Sequence, residues 1–167
     1  RLMLSDALNN RDGKVQSGEA LQLDAQALNN AGGTIDGQQQ VTLRILGLLE
    51  NTGGAVRGNG GQQVSAAGIN NTRGVFSSRG GITVASKQLD NAGGTLISQG
   101  SGIYRLDRLN NQHGKVHSGD TLTLEGAQVN NQGGQLVSTQ GLTLKAKAFD
   151  NSGQGTLSSQ AELDVQA

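Results

Sequence analysis

The sequence predicts an all-β chain wound as a parallel β-helix, a solenoid of about eight coils with roughly 20 residues per coil and a triangular cross-section. Three observations predict it. An apolar residue that stands just before a polar residue and an Asn recurs as Leu8, Leu28, Leu49, Ile69, Leu89, Leu109, Val129 and Phe149, spaced by 20 residues except for 21 between Leu28 and Leu49. Such a period, sustained along a chain, marks units that stack on one another. The composition agrees, because 27 Gly with one Tyr, two Phe and no Trp leave too few large side chains for a conventional core. Finally, each repeat alternates short apolar stretches of the Leu-x-Leu kind with three turn-prone clusters, which suits strands and corners and excludes a helical solenoid.

The stretch from Leu109 to Leu124 shows the unit most plainly. Its anchor, Leu109, belongs to the first apolar column. A second column holds Val15, Ile35, Val56, Phe76, Leu96, Val116, Leu136 and Leu157, and a third holds Leu23, Leu43, Val64, Val84, Tyr104, Leu124, Leu144 and Val165. No charge enters either column. Two residues before the third lie Leu21, Val41, Ile82, Leu122, Leu142 and Leu163, with Gln62 and Gly102 as departures. In the fifth repeat Ile103, Tyr104 and Leu106 leave two inward registers open. Corners are expected at Asn-x-x-Gly after the anchor, at Ser-x-Gly, and at a looser cluster before the next anchor. A single coil buries too little apolar surface to offset the ordering of its backbone, so folding belongs to the array.

One residue is constant through all the repeats: Asn10, Asn30, Asn51, Asn71, Asn91, Asn111, Asn131 and Asn151. A carboxamide has two donors and an acceptor, so stacked Asn side chains are expected to bond along the column and hold the corner. The companion column, Gly13, Gly33, Gly54, Gly74, Gly94, Gly114 and Gly134, suits a corner with positive φ. The last repeat departs from it with Ser152-Gly153-Gln154-Gly155, where one extra residue predicts a local bulge.

Tandem repeats of the form Leu-Asn-Asn-x-x-Gly-x-Val-x-Ser-x-x-x-Leu-x-Leu resemble the filamentous haemagglutinin repeats of two-partner-secretion exoproteins, which include bacterial adhesins and the effectors of contact-dependent growth inhibition. The resemblance covers residues 8 to 167 and rests on the tandem copies together. It implies a right-handed β-helical filament, secreted through a partner transporter in the outer membrane and displayed on the bacterial surface. The secretion domain that engages the transporter and the toxin of such effectors lie outside these residues. The chain opens on Arg1 in mid-pattern, so residues 1–167 are read as one β-helix segment excerpted from a longer filament. Bare coil ends would invite end-to-end association through unpaired strand edges.

Function classes are narrowed by charge and chemistry. With 13 basic and 13 acidic side chains the net charge is zero, which provides no field for nucleic acid. There is no Cys, and the most apolar run, Leu43 to Leu49, is too short to span a bilayer. Glu50, Asp90 and Asp150 share one outward position, but Glu50 and Asp90 stand two coils apart, about 9.6 Å, at the far limit for an inverting glycosidase pair. No aromatic platform accompanies them, so no catalytic residue is assigned and the chain is not read as an enzyme. His113 and His117 flank a corner without a third ligand, and no metal or other cofactor is expected. Ser17, Ser78, Ser98, Ser118 and Ser138 read as corner hydrogen bonders. Arg105, Glu125 and Lys145, like Asp24 and Arg44, fall in register as a surface charge ladder. Two functions follow: a structural rod that projects a distal module, or a segment that itself binds a host glycan or a receptor on a host or bacterial cell. For the second, the candidate surface is Arg57, Arg73 and Arg79, or the irregular Leu46-Gly47-Leu48.

Overall fold

The computed structural model describes residues 1–167 and contains only strands and corners. Every strand pairs in parallel with its counterpart one coil away, so the chain winds through eight stacked coils. The parallel solenoid expected from the period is the observed fold.

Two sheets form the walls. The 8-stranded sheet takes one four-residue strand from each coil, from Lys14–Ser17 through Val75–Ser78 to Thr156–Ser159. The 12-stranded sheet carries the rest. In the first coils it contains separate second and third strands, such as Leu21–Ala25 and Leu28–Asn29. From Gly61–Asn70 onward these merge into strands of nine or ten residues, including Thr121–Asn130. The third corner is then a bend within a strand. Its signature is a slip in alternation: Leu122 and Leu124 face inward, and so does Val129, an odd number of residues later. Pairing between coils skips a residue there, since Ser86 faces Leu106 and Gln88 faces Arg108 with no bridge between Lys87 and Asp107.

The one 21-residue coil spends its extra residue at this same corner. Strand Gln40–Ile45 stops, the Gly47 amide donates to the Gln26 carbonyl at 2.7 Å, and strand Leu48–Glu50 resumes. Leu46 and Leu48 are thereby turned out, 71% and 50% exposed.

The apolar columns fill the bore as a single cluster of 28 buried residues. Tyr104 and Leu106 both face inward and Ile103 outward, which settles the fifth repeat. Gly102 makes this workable, because a Cβ there would lie 2.9 Å from the Tyr104 ring. Gln62, the other departure, is buried with its amide donating to the carbonyls of Val56 at 3.1 Å and Ser77 at 2.6 Å. A further inward column, Ala25, Ile45, Ala66 and Leu106, lines the bend of the third corner. Burial declines in the outermost coils, where Val15 and Leu157 are half-buried and Val165 is 40% exposed, since each such coil has a neighbour on one side only.

The Asn-x-x-Gly corner corrects one expectation. The constant Gly is not the residue with positive φ. That conformation belongs to the residue before it, which is Gly32, Gly53, Gly93 and Gly133 in four coils but Asp12, Arg73 and His113 in three, with φ of 53° to 63°. The constant Gly is required by space instead. A Cβ on Gly94 would run into the Asn71 carbonyl of the adjacent coil and sit 2.6 Å from the Asn91 Oδ1. In the last coil the extra residue gives Gly153 and Gln154 positive φ, and Gly155 recovers the crowded position against Asn131 and Asn151. The predicted bulge is therefore a one-residue widening of the corner.

Two neighbouring substitutions separate these causes. Gly94→Ala should cost about 2 to 3 kcal/mol, because backbone must move to admit the methyl group. Gly93→Ala, where the nearest atom is the Arg73 Cγ at 3.7 Å, should cost about 1 kcal/mol from the left-handed backbone alone. Urea-unfolding midpoints measure both; an equal loss would refute the steric reading.

Candidate functional site

The Asn corner is the most highly organised polar feature of the chain. Asn30, Asn51, Asn71, Asn91, Asn111 and Asn131 are fully buried, with Asn10 nearly so and Asn151 half-buried. Each Nδ2 donates to the Oδ1 of the Asn in the next coil at 2.7 Å, seven bonds that all point the same way. From Asn30 onward the same amide also donates within its own coil, to the carbonyl of the crowded Gly, at 3.0 to 3.3 Å. The amide donors and the Oδ1 acceptors thus find partners along the interior of the ladder, which is what burial of a carboxamide demands. The chemistry is structural: the interior of the ladder leaves no polar atom free to meet a ligand.

Beside it runs an outer ladder whose role the sequence did not disclose. Asn9, Asn29, Glu50, Asn70, Asp90, Asn110, Asn130 and Asp150 each accept the backbone N–H two residues on, at 2.9 to 3.3 Å. These are side chains closing the corner from outside. Amides of the following coil bridge the carboxylates, Asn70 to Glu50 at 3.0 Å and Asn110 to Asp90 at 3.1 Å. Glu50 and Asp90 therefore stand in register with Asn70 between them, each engaged in its own corner. Asp150 is held below the usual carboxylate range, first by the Ser152 amide, then by the Ser152 hydroxyl and the Gln132 amide. By contrast, burial pushes the Tyr104 phenol far above its ordinary value.

The remaining candidates find plain places. Ser78, Ser98, Ser118 and Ser138 are buried at the second corner, where Ser98 donates to the Gly100 carbonyl at 2.9 Å and Ser78 accepts the Gly80 amide at 3.1 Å. His113 is exposed in its left-handed position and lies over Gly133, while His117 is half-buried on the adjoining strand. Asp24 pairs with Arg44 at 3.5 Å and Arg105 with Glu125 at 3.7 Å, as the register requires, whereas Lys145 makes no ion pair. Such exposed pairs contribute at most about 1 kcal/mol each.

The three candidate arginines do not form one surface. Arg73 belongs to the Asn corner. Arg57 and Arg79 come from adjacent coils at the second corner and flank a shallow groove of about 220 Å³. The sequence singled out both residues but not their shared groove, because they differ by two positions within their coils and are brought to it only by the corner.

The haemagglutinin repeat profile matches residues 4–53, 57–103 and 105–167. The chain belongs to the haemagglutinin repeat family. Haemagglutinin repeats are an adhesin-type structural family rather than an enzyme class, and they are typical of secreted and surface-exposed proteins. The three matches leave out residues 54–56 and Tyr104, yet both sheets run through these points without interruption. No curated protein and no solved structure matches the chain.

Replacing Asn91 by Ala would strand a donor on Asn71 and an acceptor on Asn111, and should cost about 3 kcal/mol. Asn110→Ala, on the outer ladder, should cost about 1 kcal/mol. Comparison of urea midpoints tests the order, which reverses if the outer ladder carries the corner. For Asp150 the folded pKa is depressed, so its contribution is present above the unfolded pKa and lost as pH falls through the folded one. Carbon-detected NMR titration should place its midpoint below that of an ordinary Asp, and Gln132→Ala should raise it.

Proposed function

We propose that this chain is a rod segment of a secreted, surface-displayed bacterial filament, an adhesin or a contact-dependent growth inhibition effector, that holds a distal module away from the cell. The observation that carries the reading is the unbroken stack: each coil is tied to the next by sheet pairing on its walls and by a buried Asn bond at one corner. Stiffness along the axis follows, because bending would have to stretch the bonds of one wall while compressing those of the opposite one. Eight coils at about 4.8 Å each give a rod on the order of 40 Å long. Export belongs to the same reading, through an outer-membrane partner transporter that recognises a domain elsewhere in the protein.

A second reading, in which the segment is itself adhesive, draws on the Arg57 and Arg79 groove and on the exposed Leu46 and Leu48.

Removal of whole coils distinguishes the two. Deleting residues 28–88 joins Ala27 to Leu89 in register, removes Leu46, Leu48, Arg57 and Arg79, and should shorten the rod by about 14 Å, leaving secretion and target binding of the surface-displayed protein intact. Binding assays on cells bearing the deleted and native filaments measure this. Abolished binding with normal display would assign adhesion to this segment.

A further inference from the structure

Arg57 and Arg79 lie in adjacent coils and line one groove, and neither is paired with a carboxylate. Some cations of the rod meet a carboxylate one coil away, as Arg44 meets Asp24 and Arg105 meets Glu125. At the second corner two guanidinium groups from neighbouring coils share a groove, and neither joins any of the four ion pairs of the chain. Asp36 stands in register with Arg57, but on the side away from Arg79 and beyond ion-pair distance. Like charges so placed repel one another, and an oxyanion lying between them removes the repulsion.

The rest of the groove suggests what carries that oxyanion. Its walls are the amides of Asn59 and Gln99, the Ser77 hydroxyl and the Ile97 side chain, a lining that suits hydroxyl-rich ligands with small apolar faces. A peptide would gain little here, because the strands bordering the groove already pair on both sides and leave no edge to extend. The guanidinium fork matches the planar geometry of a carboxylate.

We propose that the groove between Arg57 and Arg79 binds the carboxylate of an acidic saccharide. The proposal deepens the adhesive reading and leaves the rod reading untouched, since a rod without this groove remains a rod. Without an aromatic platform a single site is weak, and useful adhesion comes from many filaments on one cell acting together.

The test is titration of the chain with oligogalacturonate, followed by calorimetry or by NMR shifts at Gln99. Native protein should bind, with affinity falling as salt rises. R57Q and R79Q should each weaken binding about tenfold, the loss of one charge-assisted contact. R57K, which keeps the charge without the fork, should also bind less tightly. Arg73→Gln removes the same charge from another corner and should bind as native does. Methyl-esterified oligogalacturonate should not bind. Circular dichroism and urea midpoints show that the variants are folded. Failure of the native chain to bind overturns the proposal. So does an equal loss in R73Q, which would reduce the effect to net charge, or equal affinity for a sulfated neutral-sugar oligomer, which would reduce the groove to a general polyanion surface. None of these outcomes affects the unbroken stack on which the rod reading stands, or the coil deletion that tests it.

Discussion

Everything in this molecule depends on how closely adjacent coils approach at the Asn corner. The backbone carbonyl of one coil's Asn points into the space a Cβ would take on the Gly of the next, so that position admits no side chain. Approach at that distance buries the Asn side chain, and a buried carboxamide must find partners for its donors and its acceptor. The carboxamide oxygen of the next coil and the carbonyl of the crowded Gly accept its two donors, and the amide of the preceding coil donates to its oxygen. Asn and Gly are thus two halves of one constraint. Because a ladder of 2.7 Å bonds tolerates no slippage, it fixes the phase of each coil, and the three apolar columns fall into line as a consequence.

The irregular coils show where that constraint ends. The extra residue of the second coil is placed at Leu46-Gly47-Leu48, before the Asn corner rather than within it, and the Asn51 bonds are unchanged. The extra residue of the last coil falls inside the Asn corner itself, yet the chain restores both the Asn151 acceptor and a Gly at the crowded point. The bore is more forgiving: Gly102 makes room for Tyr104, and Gln62 occupies an apolar column by donating to two wall carbonyls. Volume can be traded between neighbours, whereas the ladder geometry cannot.

What was legible in the sequence follows from the same distinction. Period, strands, bore and Asn column could be read because they repeat, and repetition is how the constraint acts. The reason for the constant Gly could not be read from spacing. Positive φ is the familiar demand on Gly, but here that demand falls on the preceding residue, where Asp12, Arg73 and His113 accept it and so conceal it. The inner column at the third corner was hidden because Ala25 and Ala66 are too small to register as core beside Ile45 and Leu106. The outer ladder was hidden by chemistry: Glu50, Asp90 and Asn70 look dissimilar in sequence, yet each contributes only an oxygen to the N–H two residues on. Arg57 and Arg79 needed the corner itself to bring them together.

A rod built this way has little freedom to vary inward, so any recognition must be written outward, by differences between coils. Several outward positions here are already committed to neighbours, as corner oxygens, amide bridges or opposed charges. A ligand site in such a structure is therefore recognised by a group whose requirement the neighbouring coil fails to meet. Two guanidinium groups in successive coils without a carboxylate between them are such a failure, and the deficit they leave is one negative charge in a polar groove. Stability and recognition thus compete for the same surface columns. The rod keeps its length by matching each coil to the next, and can bind only where it gives up a match.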